Sequence, residues 1–339
     1  MRVRSVLLGL GSLIVGNALL RLLLVISRVD LCGIFQRVRS VDTLSFVDLS
    51  LLVGVNIYLS TQKWQIMDRV LRHRTDPELP AFTAFAVTSA GNLLGQFLPV
   101  QLSMVVARTL GTWTRGRALR RGTVGTLIEQ GFDVLTICFL MMASAGTRLL
   151  RGDAALWFLL AILAALLALG PVGAMAGWLR RVRIDPVISP HKRLDRVKRS
   201  LLQLQESGLL EASVARRLMA LSFARFGVLV LMAGQITTAI RADVPVWHLA
   251  AAMPFVVFSN AVAITPGGLG ITELTYAAAL NLFGTPVATG AAWALANRFL
   301  VIAATFAVAI PAIGLFFALC LWHRARNASG KIAAGQQES

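Results

Sequence analysis

Five ionisable residues lie within otherwise apolar stretches of the sequence, and they indicate what chemistry the protein could perform. They are Glu129, Asp133, Arg225, Glu273 and Arg298. Charged groups at membrane depth are costly, so they usually face the interior of a helix bundle and pair with one another. Glu129 and Asp133 are four residues apart and share one helix face, where two carboxylates repel unless a cation lies near.

Three arginines are candidates for that cation: Arg108, Arg225 and Arg298. A guanidinium in such a place could also bind a phosphate group through two parallel hydrogen bonds. The alternative is a buried ion network with a purely structural role. Asn92 and Asn260 precede Pro99 and Pro266 by a few residues, and we expect them to satisfy backbone groups.

The stretch AITPGGLGITEL, residues 263–274, interrupts a long apolar segment with a proline and three glycines: Pro266, Gly267, Gly268 and Gly270. Proline removes a backbone donor and glycine permits unusual conformations, so the sequence predicts a broken helix that resumes near Ile271. The free N–H groups at that helix start could bind a phosphate group. A kink that serves only close helix packing is the alternative, although it gives Glu273 no role.

The composition is that of a polytopic membrane protein, because 56% of the 339 residues are hydrophobic and only 14% are charged. The net charge of +17 would suggest nucleic acid in a soluble protein. Here the basic residues lie mostly between apolar segments, so the positive-inside rule and anionic lipid headgroups explain them better. We therefore expect no nucleic-acid partner.

The sequence contains none of the common catalytic or nucleotide-binding motifs, such as G-x-S-x-G, H-E-x-x-H or a P-loop. Its three cysteines and four histidines are scattered, which favours neither a disulfide framework nor a metal site. These patterns predict a protein that is not an enzyme and uses no cofactor. The basic N-terminus is followed by an apolar run without a cleavage site, which indicates a retained first helix.

Basic loops fix the expected topology through the positive-inside rule. The most basic loop, residues 180–216, should be a cytoplasmic linker, and its part from Leu194 to Leu210 has the spacing of an amphipathic surface helix. The basic segment 61–79, which includes Lys63, should also be cytoplasmic, as should the arginines that follow residue 107. Eight apolar segments are long enough to matter: 5–26, 43–60, 81–107, 123–145, 155–178, 217–240, 246–283 and 286–321.

Segment 81–107 must then begin and end on the same side, which predicts a re-entrant hairpin bent near Pro99. Segment 246–283 predicts a second re-entrant hairpin, which enters the membrane from the opposite side and bends at Pro266. The predicted fold is all-α, with about six full spans, two re-entrant hairpins and both termini cytoplasmic. Residues 1–322 form one transmembrane domain, followed by a polar tail at 323–339.

The two halves, about 43–145 and 217–321, predict an inverted repeat of the kind found in secondary transporters. Pro80 and Pro99 bracket the first hairpin segment much as Pro245 and Pro266 bracket the second. Chance alignment of prolines in two leucine-rich halves is the alternative. One loop disagrees with the positive-inside rule, because this topology places the basic loop 27–42 outside.

At these motifs the chain resembles a known family. P-G-G-L-G-x-x-E at Pro266–Glu273 resembles the signature of the lysylphosphatidylglycerol synthase transmembrane region, also called the flippase-like or UPF0104 family. The region around Pro99, with Arg108 and LIEQGFDVL after it, is similar to the family's first-half pattern. The chain is a divergent member, since Ser103 and Met104 replace a common Gly-Glu pair and Gln130 replaces a common basic residue.

The resemblance implies a bacterial inner-membrane protein that moves lipids or lipid-linked sugars between leaflets, or that assists an enzyme that modifies them. In well-known relatives this region is joined to a soluble aminoacyl-transferase domain, for which this chain has no room, so we expect no synthase activity. In the leading hypothesis the helix start after Pro266 and Arg298 hold the phosphate of an anionic lipid, with Arg108 guiding it. Glu273, Glu129 and Asp133 would balance those cations or carry a coupling proton.

Two alternatives remain open from the sequence. The first is a non-transporting membrane partner of a glycosyltransferase or lipid-modifying enzyme, which would dock on the linker 180–216. The second is an integral-membrane lipid enzyme, which is weaker because the sequence contains no catalytic constellation.

Overall fold

The computed structural model describes residues 2–71, 78–113, 119–181, 211–262 and 265–335. Within these ranges every regular element is a helix, which confirms the predicted all-α class. The helices are α1 (Arg2–Ser27), α2 (Leu31–Arg39), α3 (Thr43–Val70), α4 (Ala81–Leu94), α5 (Val100–Trp113), α6 (Leu119–Leu149), α7 (Ala154–Arg181), α8 (Ala212–Ala239), α9 (Val246–Val262), a 3-10 turn (Pro266–Gly268), α10 (Ile271–Leu282) and α11 (Val287–Gly335).

Four helical stretches of the described chain are long and apolar enough to cross a membrane: Thr43–Val70, Gly122–Leu149, Ala212–Ala239 and Val287–Trp322. Their most apolar windows are largely exposed on the protein surface, with at most 39% of a window buried. Apolar side chains on the outside of a helix bundle suit a lipid environment. The structure is that of a helical membrane protein.

Two interrupted segments form helical hairpins. The first hairpin, residues 81–113, consists of α4 and α5, and the helices break at residues 95–99, beside Pro99. The second hairpin, residues 246–282, consists of α9, the 3-10 turn at Pro266 and α10. The bends predicted at Pro99 and Pro266 are confirmed, and α10 begins at Ile271, as predicted.

The order of a long helix, a hairpin and a second long helix occurs twice. The first set is α3, the first hairpin and α6, and the second set is α8, the second hairpin and α11. The sets pack reciprocally: α3 lies against α8, α4 lies against α11, and α9 lies against α6. The main apolar core lies where these helices meet, and the fully buried Ala250, Ala251 and Ala252 let α9 approach its neighbours closely.

Capping residues define the helix starts near the N-terminus. The Asp30 carboxylate accepts hydrogen bonds from the N–H groups of Cys32 and Gly33 at the start of α2. Asp42 caps α3 in the same way, and hydrogen bonds from the N–H and hydroxyl of Ser45 lower the pKa of the Asp42 carboxyl. Part of the loop 27–42 is therefore the short helix α2.

The structure corrects one boundary and extends another. Helix α3 continues to Val70, so Lys63 lies inside a helix and not in the predicted loop 61–79. The reason is that Trp64 and Met67 are fully buried on the same helix and hold this part of α3 inside the bundle. Helix α11 continues to Gly335, into the predicted polar tail. Residues 182–210 of the predicted linker, with its amphipathic segment, lie outside the described residues.

Candidate functional site

A cavity of about 310 Å³ lies between the two hairpins and the long helices α3, α6, α8 and α11. Five of the predicted site residues line it: Glu129, Asp133, Gly267, Glu273 and Arg298. Apolar side chains from α6, α8 and α9 complete the wall, among them Ile137, Phe226, Leu229 and Met253. The cavity thus offers a charged region and an apolar region to one ligand.

The glycines of the second hairpin are required by conformation and by space. Gly267, Gly268 and Gly270 have φ angles of +57°, +71° and +79°, which side chains rarely adopt. A Cβ atom on Gly267 would lie 2.9 Å from both the Arg298 Nη2 atom and the Gln96 carbonyl oxygen. A Cβ atom on Gly270 would lie 2.5 Å from the Gly16 carbonyl oxygen on α1. These two positions of the hairpin tip therefore fit their neighbours only as glycine.

Glu273 is fully buried and joins the start of α10 to α11. Its Oε2 atom accepts a hydrogen bond of 2.7 Å from the Gly270 N–H, and its Oε1 atom lies 2.5 Å from the Arg298 Nη1 atom. Arg298 also donates to the Gly267 carbonyl oxygen at 3.2 Å. The N–H of Gly270, predicted as part of a phosphate site, is therefore already bound by a carboxylate of the same chain. Of the predicted phosphate ligands, Arg298 is the cation that reaches the cavity wall.

Arg108 and Glu129 form a second buried pair, between α5 and α6. Arg108 is fully buried, donates to both oxygens of Glu129, and donates at 2.9 Å to the Ser60 hydroxyl. Its guanidinium carbon lies 5.0 Å from the centre of the Trp64 ring, a cation–π arrangement. Arg108 therefore lies behind the wall, where it neutralises Glu129, and the structure gives no support to a guiding role.

Asp133 lies between two cations. Its Oδ1 atom is 2.5 Å from the Lys63 Nζ atom, and its Oδ2 atom is 2.9 Å from the Arg225 Nη1 atom. Arg225 also donates to the Asn56 side-chain oxygen at 2.9 Å. Arg225 lines the cavity with 25% of its side chain exposed, whereas Lys63 is fully buried. Of the three candidates, Arg225 is thus the arginine that pairs with Asp133.

Lys63 belongs to this network, although the sequence predicts it to lie in the loop 61–79. The sequence contains a pattern that could have placed Lys63 in a helix. Asn56 and Ser60 are four residues apart, and Ser60 and Lys63 are three residues apart. That spacing places three polar groups on one face of an otherwise apolar helix. Each of the three contacts the charged network in the structure.

Among the described residues, the salt bridges at and behind the cavity wall join four cations and three carboxylates. The cations are Lys63, Arg108, Arg225 and Arg298, and the carboxylates are Glu129, Asp133 and Glu273. The network therefore carries one excess positive charge, and the two cations at the wall, Arg225 and Arg298, belong to different long helices. Such a wall favours an anion.

The tips of the two hairpins contact each other beside the cavity. The Gly267 N–H donates a hydrogen bond of 3.1 Å to the Leu98 carbonyl oxygen, which joins residue 267 of the second hairpin to the turn of the first. Asn92 donates to the Thr88 carbonyl oxygen at 2.9 Å, in keeping with its predicted backbone role. Asn260 instead accepts from the Thr272 hydroxyl at 2.5 Å and so links the two arms of the second hairpin.

Comparison with known families matches residues 7–326 to the family described as the lysylphosphatidylglycerol synthase TM region. The chain belongs to this family. The match confirms the resemblance inferred from the Pro266–Glu273 motif. Both hairpins and the cavity lie inside the matched range. No curated protein matches the chain significantly.

The structure divides the predicted site residues into two groups. Glu129, Asp133, Gly267, Glu273 and Arg298 line the cavity, whereas Pro266, Gly268, Gly270 and Arg108 do not. Among the described residues, no group of three or more His, Cys, Asp or Glu side chains could hold a metal ion.

Proposed function

We propose that the protein is a flippase-like transporter that moves an anionic phospholipid or a polyprenyl-phosphate-linked glycolipid between membrane leaflets. It performs no covalent chemistry itself. In this proposal it lies in the bacterial inner membrane with about six full spans, two re-entrant hairpins and both termini in the cytoplasm. The membership in the synthase transmembrane family and the helical membrane fold support the proposal.

The observation that carries it is the position of Arg225 and Arg298 on the wall of one cavity. Both side chains are partly exposed, at 25% and 16%, and their network keeps one positive charge in excess. A phosphate group that contacts both would replace water with charge-assisted hydrogen bonds. The apolar part of the same wall suits the hydrocarbon attached to that phosphate.

The reciprocal packing of the two helix–hairpin–helix sets supports movement across the membrane. In transporters with inverted repeats, the substrate site lies where the interrupted helices meet, and one repeat rocks against the other. Here α4 lies against α11 and α9 lies against α6, so either set could shift relative to the other around the cavity. We propose that the halves 43–145 and 217–321 are such repeats.

The test uses two arginines of the same helix, α8. Arg225→Gln removes the cavity-wall cation but leaves Asp133 paired with Lys63, so the protein should still fold. Losing one charge-assisted hydrogen bond should slow the transfer of a fluorescent anionic lipid in proteoliposomes by roughly ten- to a hundredfold. Arg216→Gln is the control, because Arg216 is exposed and binds only the carbonyl oxygen of Ala212 among the described contacts.

Equal transfer by Arg225→Gln and the unaltered protein would contradict the assigned phosphate site. If the unaltered protein produces no transfer at all, transport itself is contradicted. In that case capture of a lipid-modifying enzyme by the linker 180–216 becomes the hypothesis to examine.

A further inference from the structure

Lys63 is a fully buried cation that the proposed phosphate site does not use. It lies on α3 behind the cavity wall, where its side chain is 0% exposed and does not line the cavity. Its Nζ atom contacts the Asp133 carboxylate and donates to the Glu129 carbonyl oxygen at 3.3 Å, both on α6. An apolar residue would join α3 to α6 without the cost of a buried ammonium, so the charge of Lys63 is the feature to explain.

Lys63 and Arg225 share a single carboxylate. The Asp133 Oδ1 atom is 2.5 Å from the Lys63 Nζ atom, and the Oδ2 atom is 2.9 Å from the Arg225 Nη1 atom. One cation is enough to neutralise Asp133, so these three side chains together carry one positive charge. The other ion pairs of the described network each join one cation to one carboxylate and are neutral. The excess positive charge of the network therefore arises from this group of three.

Arg225 presents that excess charge to the cavity. Its Nε atom donates to the Asn56 side-chain oxygen and its Nη1 atom donates to Asp133, each at 2.9 Å. Its Nη2 atom makes no hydrogen bond with any residue that the structure describes, and 25% of the side chain is exposed at the cavity wall. If Lys63 were neutral, Asp133 would cancel the charge of Arg225, and the same guanidinium would attract an anion less strongly.

We infer that Lys63 sets the affinity of the cavity for an anionic ligand, because it neutralises Asp133 from behind the wall and leaves the charge of Arg225 for the ligand. Lys63 is a positioning residue, since it acts through Asp133 and Arg225 and does not reach the cavity. This inference rests on the proposed function and identifies a residue that determines its preference for anions. A Lys63 that only held α3 against α6 would change the stability of the protein and not its affinity for an anion.

The test removes the charge of Lys63 and leaves both arginines of the wall in place. The probe is fluorescent phosphatidylmethanol, a lipid with one negative charge, in phosphatidylcholine proteoliposomes. Lys63→Gln keeps a hydrogen-bond donor and Lys63→Met removes it, and in both variants Asp133 remains paired with Arg225, so the protein should fold. We expect the mole fraction of probe that gives the half-maximal transfer rate to increase about tenfold in both variants, with little change in the maximal rate.

A second substitution separates the charge of Lys63 from its packing. Lys63→Met with Asp133→Asn removes one charge of each sign, so the described network regains its excess positive charge although Lys63 is absent. We expect the half-maximal mole fraction to return to within about threefold of that of the unaltered protein. A double variant that binds the probe as weakly as Lys63→Met would overturn the role of the charge.

Thr61→Val is the control on the same helix. Thr61 is buried, and among the described residues its hydroxyl donates only to the Ile57 carbonyl oxygen of α3, at 2.8 Å. The substitution removes a buried polar group without changing the charge of the network. The half-maximal mole fraction should therefore stay the same, and an increase like that of the Lys63 variants would overturn charge as the cause.

The outcomes separate this inference from the transport proposal. An unchanged half-maximal mole fraction in both Lys63 variants, together with slower transfer by Arg225→Gln, would overturn the role of Lys63 and leave the phosphate site in place. Loss of folded protein in both Lys63 variants would show a structural role and would also overturn the inference. No transfer by the unaltered protein would overturn transport itself.

Discussion

The two hairpins are tied to the helices that follow them by the same kind of ion pair with the signs exchanged. In the first half the hairpin arm α5 supplies the cation, Arg108, and α6 supplies the carboxylate, Glu129. In the second half the hairpin arm α10 supplies the carboxylate, Glu273, and α11 supplies the cation, Arg298. Each pair fixes one arm of a hairpin against a long helix.

The two ion pairs differ in the groups that surround them. Ser60 on α3 completes the first pair, since its hydroxyl contacts both partners and its carbonyl oxygen accepts from Arg108, and both partners are at most 2% exposed. Main-chain atoms complete the second, through the Gly270 N–H and the Gly267 carbonyl oxygen. The first pair therefore joins the three helices α3, α5 and α6, whereas the second connects the cavity wall to the main chain at the tip of a hairpin.

The largest effect should come from breaking the first pair. Arg108→Met leaves the buried Glu129 without its main partner and should lower the free energy of unfolding by about 3–5 kcal/mol. Thermal unfolding in detergent measures the loss. Arg108→Met with Glu129→Met replaces both charges by apolar groups and should recover most of the stability. A double variant as unstable as the single one would contradict this account of the pair.

The next largest loss of stability should come from replacing a glycine at the tip of the second hairpin. Gly270→Ala must place a side chain at φ +79° and against α1, so it should cost about 2–3 kcal/mol of stability. Gly95→Ala, at the turn of the first hairpin with φ −63°, should cost less than about 1 kcal/mol. Similar losses of thermal stability in both variants would count against conformational strain as the cause.

A conservative change should show that the second pair depends on geometry as well as charge. Arg298→Lys keeps the charge, but a single ammonium cannot reproduce the fork that contacts Glu273 and the Gly267 carbonyl oxygen. We expect a stability loss of about 1–1.5 kcal/mol and lipid transfer about tenfold slower. Full transfer activity in this variant would show that charge alone suffices at this position.

The smallest effect should come from one threonine in each hairpin, both of which make a hydrogen bond between side chains. Thr272→Val removes the hydroxyl that binds Asn260 and the Gly268 carbonyl oxygen, and Thr109→Val removes the hydroxyl contact with Thr123. Each should cost about 0.5–1.5 kcal/mol. Because Thr272 lines the cavity and Thr109 does not line it, only Thr272→Val should also slow transfer. Equal transfer rates in the two variants would remove the distinction between the halves.

Local features of the fold were predictable from sequence because their causes are local. The breaks at Pro99 and Pro266 follow from the chemistry of proline and glycine, and the start of α10 at Ile271 follows from the same motif. The intramembrane charges predicted a paired network, and the structure pairs all five of them. The resemblance to the family was likewise readable from one motif and is confirmed.

The pairing within the network was not predictable, because it depends on how each helix is rotated in the bundle. Arg225 contacts Asn56, which is 169 positions away in the chain, and no local pattern relates the two. Lys63 was wrongly placed in a loop because a basic residue near the end of an apolar segment usually marks a boundary. The capping of Gly270 by Glu273 also depended on the conformation of the broken segment.

The contact between the hairpin tips uses only main-chain atoms, the Gly267 N–H and the Leu98 carbonyl oxygen. Every residue except proline would supply this donor, but the φ angle of +57° and the close approach of the Arg298 Nη2 atom and the Gln96 carbonyl oxygen restrict position 267 to glycine. Separating the tips breaks this one hydrogen bond between main-chain atoms. Its net contribution is about 1 kcal/mol, which is small enough for thermal motion to overcome. The position of the backbone at residue 267 therefore sets the contact between the two hairpins, while the hydrogen bond itself adds little to the cost of separating them.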